Sequence, residues 1–561
     1  MKRTLYLSVF LSGFSYANPN IQQESAISQL QELERDTDNN LAPRVSPIKQ
    51  TQVKSIKNAD KIMFVFKGVV LEGKSPLSQA EMLATFADYK HKKISVSMFQ
   101  KLVNRLNSKF MAAGYILTRA YIPHQKAKNG VIKVAIAAGH FTGYDVMGNP
   151  PKSMREKIDH LIKPVLKEKP VNIKTLEHAL LVLNQIPGFS VKSVISPNKK
   201  QKHAVHLTLI TKSLATHLSA FSDNYLNRLD GSARLTANFD NYDVFPGSML
   251  GLRISQTINP EVSNYMVATS KFPLGKNGDY LGLKYTTIKN SPNYSVLNPA
   301  LASSQSAANS KTWQLSVTHP MQQTRLYSQD IFFDLNKITS NLDNSVFGND
   351  FEDRISTMRL GSSWNFIGPK FSKARMTLSW THGLGSAFGA GYETPSRENG
   401  ELVFDKFNLN LTSIKNINSI MQAEMHVYAQ TSYNILLSAE EFAVGGRYCG
   451  IGYDSSELVG DDGYCVHKQL NIALPSPRKF GINNWHAFAF HDNGLIRNKS
   501  HDTSTQSKKD KASSVGMGIA MKFSHNLAGK LLYALPLDHD IGLESDKKQR
   551  GRVFFNISYS E

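Results

Sequence analysis

From Leu214 onward the sequence runs as stretch after stretch of alternating apolar and polar residues, and this pattern restricts the fold more than anything else in the chain. Met421, Ala423, Met425, Val427 and Ala429 alternate with Gln422, Glu424, His426, Tyr428 and Gln430; the pattern recurs around Phe407, Leu409 and Leu411, around Met376, Leu378 and Trp380, and around Val553, Phe555, Ile557 and Tyr559. Successive side chains of a strand point to opposite faces, so each stretch has one face fit for hydrocarbon and one fit for water. A β-sandwich alternates too, with its apolar face enclosed between sheets, and periodicity alone leaves both architectures open. Three further features favour a transmembrane barrel. Roughly 350 residues of strand suffice for about 16 antiparallel membrane strands with their loops. After the first twenty residues, no stretch approaches the ~18 apolar residues of a spanning helix. Finally, Met1 to Ala17 has the basic start, short apolar core and small-x-small ending (Ser15, Ala17) of a secretory signal peptide, with cleavage expected before Asn18. A hydrophobic share of 41% and a mean hydropathy of −0.31 fit a barrel, in which lipid-facing and lumen-facing residues average out.

The formal net charge of +20 suits an anionic partner such as lipopolysaccharide or an acidic client chain. Nucleic acid is the usual rival. Here, however, the basic residues are scattered through strands and loops of an exported chain, with no arginine-rich tract or nucleic-acid module. Only two cysteines occur, Cys449 and Cys465. In an oxidising compartment a pair bracketing one loop reads as a disulfide; zinc would need about four ligands and thiol catalysis a poised base. No H-E-x-x-H, G-x-S-x-G or P-loop appears and the 17 histidines are dispersed, so neither enzyme activity, cofactor nor metal site is expected. The acidic pairs Glu440-Glu441 and Asp461-Asp462 are consecutive, hence poor acid–base partners, and read as solvated charge at loops or strand ends. Lys508 to Lys511 reads as an exposed loop.

Residues 18–40 contain good helix formers with little apolar surface beyond Ile27, Leu30 and Leu33, and residues 41–60, rich in Lys, Gln and Ser with Pro43 and Pro47, read as a linker. From Met63 to Gly73 a strand is expected, then two amphipathic stretches. In the second, Met98, Leu102, Leu106 and Phe110 fall on one helical face, and strands at 116–123 and 130–137 follow. A second unit of the same β-α-α-β-β order spans about 141–213, with Leu176, Leu180 and Leu183 at the helix end and strands at 191–195 and 204–210.

That order, with the phrase around Gly114, Tyr115, Arg119, Pro123 and Gln125, resembles the first POTRA domain of the outer-membrane transporters of two-partner secretion (the TpsB type of the POTRA-containing barrel superfamily). Leu183, Asn184, Pro187 and Gly188 resemble the family's second POTRA signature, and the phrases at 241–248, 270–275 and 318–321 resemble its early barrel turns. The resemblance implies a signal peptide (1–17), an N-terminal plug helix (18–40), a linker (41–60), POTRA domains at 61–140 and 141–213, and a barrel from 214 to 561. It also implies that an extracellular loop turns inward on Gly445, Gly446, Gly452 and Tyr453 and meets a wall strand bearing Phe490, Asp492 and Gly494. The family's loop arginine, which contacts that aspartate, is replaced here by Ile451. Asp492 then needs another partner, and two compensations are expected: Arg447, reaching it if the glycines re-register the loop, and a Cys449–Cys465 bridge restricting the loop. The end Tyr559-Ser560-Glu561 departs from the aromatic terminus on which barrel proteins usually finish, which bears on insertion by the barrel assembly machinery.

The function implied is a monomeric pore that recognises a large unfolded exoprotein (adhesin, haemolysin or contact-dependent toxin) in the periplasm and carries it to the cell surface. A barrel-assembly factor of the same superfamily and a passive porin are the alternatives; the two-POTRA count and the signatures favour secretion, and a plug implies regulated opening.

Overall fold

The computed structural model describes residues 60–561 apart from 126–128, 199–200, 202–203, 259–262, 294–305, 325, 345–349, 370–371, 476–483, 501–508, 524–525 and 539–550. The expected signal peptide, plug helix and nearly all of the linker lie outside the described residues.

The first α/β unit comprises β1 (Met63–Val65), β2 (Gly68–Glu72), α1 (Gln79–Leu83), β3 (Lys93–Ser95), α2 (Val96–Ala112), β4 (Arg119–Tyr121) and β5 (Val131–Ala137). Helix α2 starts where the Ser95 side chain accepts the Met98 N–H at 3.1 Å, and it buries Leu102, Leu106 and Phe110 as their spacing dictates. The single strand expected from Met63 to Gly73 is divided instead. β1 pairs with β3 and β2 pairs in parallel with β5, because the chain turns at Phe66 to bury that ring between Phe86 and Phe99. The strand expected at 116–123 is likewise shortened to β4.

The second unit comprises β6 (His140–Met147), α3 (Lys152–Lys167), α4 (Ile173–Asn184), β7 (Phe189–Pro197) and β8 (Ala204–Ser213). Its sheet order, β6-β8-β7 with β6 parallel and β7 antiparallel to the central strand, repeats the order β2-β5-β4 of the first unit. Each unit encloses its own core: Leu106, Phe110 and Val134 in the first, Ile158, Ile162, Leu183 and Leu207 in the second.

Among the described residues, sixteen antiparallel strands from Thr216–Asp223 to Arg552–Ser560 close into one barrel, and the last strand pairs with the first. Leu378, Phe407, Val553 and Ile557 are exposed on its outside, whereas Tyr428, Gln430, Asp492 and Ser514 are buried within, as the alternation requires. No helix among the described residues is long and apolar enough to cross a membrane. The second unit lies against one rim of the barrel: the Leu214 N–H donates to the Gly188 carbonyl at 2.7 Å, His160 meets Asn277 at 3.2 Å, and buried Lys157 lies 6.0 Å from the Tyr280 ring centroid.

Candidate functional site: the inward loop and its seat

Residues 433–461 join the strands Met421–Ser432 and Asp462–Ala473 and pack inside the wall, where Phe442, Val444, Cys449, Tyr453 and Leu458 share a buried cluster with Tyr428, Ile496 and Ala512. Phe442–Val444 and Leu458–Gly460 pair as a short hairpin that stiffens the loop's two limbs. At the turn of the hairpin Gly445 has φ +116°, and a Cβ there would stand 2.1 Å from the Asp454 carbonyl oxygen, so only glycine fits. Gly446 and Gly450 also take positive φ, and Gly452 lies against the backbone of Pro536.

The wall strand Asn484–Arg497 turns Phe488, Phe490, Asp492, Gly494 and Ile496 toward this loop. Asp492 is fully buried, and three described partners hold its carboxylate. Oδ2 accepts the Ile451 backbone N–H at 2.8 Å and the Ser514 hydroxyl at 2.9 Å, while Oδ1 lies 2.6 Å from His467 Nδ1. His467 and Ser514 stand directly across from Asp492 on the two neighbouring strands, so the barrel register delivers both. A buried carboxylate is tolerable only when hydrogen-bonded in this way. The Ile451 side chain, in place of a cation, enters an apolar seat made by Tyr225, Phe488, Phe490, Leu532 and Phe554.

Arg447 does not reach Asp492, contrary to expectation. The loop is not re-registered; the guanidinium lies 5.7–5.8 Å from the ring centroids of Phe221, Tyr225 and Tyr448, with Nη1 3.9 Å from Asp223. The backbone N–H of Ile451 needs no long side chain to arrive at the carboxylate, and it occupies the acceptor. The expected Cys449–Cys465 bridge is formed, with Cα atoms 6.1 Å apart, and it tethers the loop to the wall opposite Gly494. A Cβ at Gly494 would come within 2.6 Å of Val444 and 3.1 Å of the Cys465 sulfur, so the glycine makes room for loop and bridge together. Tyr453 donates to the Ser513 carbonyl at 3.0 Å and accepts the Asp538 N–H at 3.1 Å, and burial pushes its hydroxyl pKa up.

The acidic pairs read as solvated charge are buried, which corrects that expectation. Because the loop folds back, Asp461 meets Arg397 at 2.7 Å and accepts the Leu436 and Lys499 N–H groups at 2.7 and 2.8 Å. Glu441 also meets Arg397, at 2.8 Å, Glu440 meets Lys406 at 2.6 Å, and Asp462 pairs with Arg497. Burial pushes the Glu441 carboxyl up to about 8; Arg397 opposes the rise and Asp461, which shares that guanidinium, adds to it. Lys509 and Lys511, read as loop, begin the strand Lys509–Lys522 and remain exposed.

Sequence reasoning did not single out His467, Ser514, Arg397, Asp454, Arg228 or Arg552. No local pattern marks them, since each acquires its role from cross-strand register or loop packing. Asp454, for instance, meets Arg228 at 2.7 Å and Arg552 at 2.6 Å.

In the α/β units the signature residues have structural tasks. Gly114, with φ +94°, follows α2; Tyr115 packs on the first core, Arg119 lies in β4 and Pro123 just after it. The Gln125 amide bonds both the N–H and the carbonyl of Lys133 in β5, at 2.9 and 2.6 Å. Leu183 is core, Asn184 ties the end of α4 to Val191 of β7, and Pro187 with Gly188 makes the turn that reaches the barrel rim. Asn107, not foreseen, bonds both backbone groups of Ala120 in the same manner.

Comparison with known proteins agrees with this arrangement. The profile of a family described as the POTRA domain, ShlB-type, matches residues 64–139, and that of the haemolysin secretion/activation proteins ShlB/FhaC/HecB matches residues 256–522. The chain is 21% identical over 482 residues to the heme/hemopexin transporter protein HuxB of Haemophilus influenzae, covering 84% of this chain and 82% of that protein. It is 20% identical over 514 residues to the outer membrane transporter CdiB of Escherichia coli, covering 86% and 80%. The solved structure of CdiB from Escherichia coli shares its fold with a TM-score of 0.71 at 16% identity, covering 96% of this chain and 98% of that one; CdiB from Acinetobacter baumannii gives 0.65 at 15%, covering 96% and 99%.

Proposed function

This chain belongs to the ShlB/FhaC/HecB family of haemolysin secretion/activation proteins, and from that membership we propose that it is the outer-membrane pore of a two-partner secretion pair. It takes a large unfolded exoprotein, of the adhesin, haemolysin or contact-dependent toxin class, from the periplasm and passes it to the cell surface. The observation that carries this reading is a closed barrel that holds a seated loop within its wall while the second α/β unit stands at one rim. An assembly with a retained loop and edge strands at its entrance suits gated passage of an extended chain.

The α/β units, taken as two POTRA domains at 61–140 and 141–213, are the capture modules. The edge strands β2, β4, β6 and β7 offer unpaired backbone groups to which an extended client can add a strand. The loop at Gly445, Gly446, Ile451, Gly452 and Tyr453, with its wall partners Phe490, Asp492 and Gly494 and the Cys449–Cys465 tether, acts as the gate. Residues 18–40, on composition and resemblance alone, are assigned as a plug. Client folding outside the cell would drive export without a nucleotide. The net charge of +20 suits lipopolysaccharide among the surrounding outer-membrane lipid, and the barrel assembly machinery would insert the chain as a monomer. The capture reading is tested with the soluble fragment 61–213, which should retain the N-terminal region of the exoprotein in a pull-down. Retention by the barrel alone would overturn it.

A further inference from the structure

We infer that Asp454 makes the inward loop the clasp of the barrel's own seam, so that seating of the loop and closure between the first and last wall strands are one event. The seam is short in backbone terms. Asn556–Ser560 pairs with Ser219–Asp223, a five-residue ladder, whereas the first strand pairs along its whole length, Thr216–Asp223, with Arg234–Asn241 of its other neighbour. Beyond Asp223 the seam is continued by side chains. The Asn224 amide stands in for a strand peptide, donating to the Val553 carbonyl at 2.9 Å and accepting the Phe555 N–H at 2.8 Å. Tyr225 stacks on Phe554 with centroids 5.0 Å apart, and Arg552 donates to the Leu226 carbonyl at 3.2 Å.

Onto this side-chain seam the loop sets two residues. Ile451 packs in the cluster that contains both Tyr225 and Phe554. Asp454 bridges the two banks: one oxygen meets Arg552 of the last strand at 2.6 Å, and the other meets Arg228, beyond the first strand, at 2.7 Å. The Arg228 backbone N–H adds a contact at 3.3 Å. Charge-assisted bonds to a mostly buried carboxylate are the strong kind. With the carboxylate in place, two guanidiniums from the two banks are held to one anion across the seam. Loss of the loop therefore removes this bridge from the seam, and a weakened seam withdraws one half of the loop's anchor. Asp454 is thus a positioning residue for both.

The test uses the full-length protein in lipid nanodiscs, with no client present, followed by hydrogen–deuterium exchange read peptide by peptide. It rests on the transport reading for its consequence only, since the unloaded barrel reports the coupling whether or not a client is ever exported. Asp454→Asn should raise exchange about tenfold or more both in residues 445–457 and in the strand Arg552–Ser560, while Tyr327–Asn344, far around the wall, keeps its protection. Asp492→Asn, which loosens the loop through a different contact, should raise exchange at the same seam strand. Arg228→Gln with Arg552→Gln removes the cations through which Asp454 bridges the banks, and exchange at the seam should then no longer respond to Asp492→Asn. If the loop loosens in either aspartate variant while Arg552–Ser560 stays protected as in the parent, the coupling is refuted. Intact protection of the distant wall distinguishes that outcome from a barrel that failed to fold.

Discussion

Three donors converge on Asp492, and they are not equal. Ile451 contributes a backbone N–H, which no substitution except proline can remove, while His467 and Ser514 contribute side chains aligned by the strand register. The carboxylate is oriented by the wall before the loop arrives, so the loop needs only to present its backbone. His467→Ala should therefore weaken the seat by about 1.5–3 kcal/mol, the scale of a hydrogen bond to a charged group. Ser514→Ala removes a hydroxyl donor from the same carboxylate and should cost on the same scale, about 1.5–3 kcal/mol. Limited proteolysis of outer-membrane vesicles, scored by cleavage within 445–457, reads both; equal resistance in parent and His467→Ala would mean that the histidine does not hold the carboxylate. Ile451→Arg tests the apolar seat directly: a guanidinium among Tyr225, Phe488, Phe490, Leu532 and Phe554 would be buried beside Asp492 at the expense of packing, and proteolysis of the loop should increase.

The loop as an element is held by two devices of different kind, a covalent tether near its tip and an ionic cluster at its outer limbs. The Cys449–Cys465 bridge closes a loop of about 15 residues, worth roughly 3 kcal/mol in the chain-entropy model. Changing both cysteines to Ser should leave the loop protease-sensitive in intact cells and lower secretion, and unchanged resistance with unchanged secretion would remove any functional role for the bridge. The ionic cluster predicts a pH response. Burial raises the folded-state pKa of Glu441 above its ordinary value of 4.5, to about 8, so the folded loop binds the extra proton. Its contribution is then full below about pH 4.5 and declines as pH rises toward 8. Protease resistance of 433–461 should fall over that interval, and Glu441→Gln should flatten the profile; a profile that rises with pH would contradict the assignment.

At the scale of the molecule, the second α/β unit meets the barrel rim through Gly188, His160 and Lys157, while the loop packs inside the wall. On the proposed function, a client captured by the α/β units would pass the loop and the plug on its way to the surface. Deleting residues 21–36 should raise single-channel conductance in planar bilayers; unchanged conductance would count against the plug. The double cysteine variant carrying the same deletion should conduct more than either alone, because tether and plug obstruct separately.

The barrel was legible in the residues because lipid on one side and water on the other impose a period of two that Met421 to Gln430 repeats without exception. The α/β units were legible from the spacing of Leu102, Leu106 and Phe110 and from their turn phrases, although Phe66 divided a strand that local pattern would have left whole. The loop's glycines and the position of Asp492 could also be read, since they answer to local backbone needs and to a resemblance. What could not be read was who meets whom inside the wall. Arg447, four residues before Ile451 in the loop, was expected to reach Asp492, yet His467 on the neighbouring strand is its partner, because register across a closed sheet sets distance in the lumen. The pairs Glu440-Glu441 and Asp461-Asp462 looked like solvent-facing charge for the same reason. The folding back of 433–461 brings Glu440, Glu441 and Asp461 to Lys406 and Arg397, while Asp462 meets Arg497 directly across the strand register.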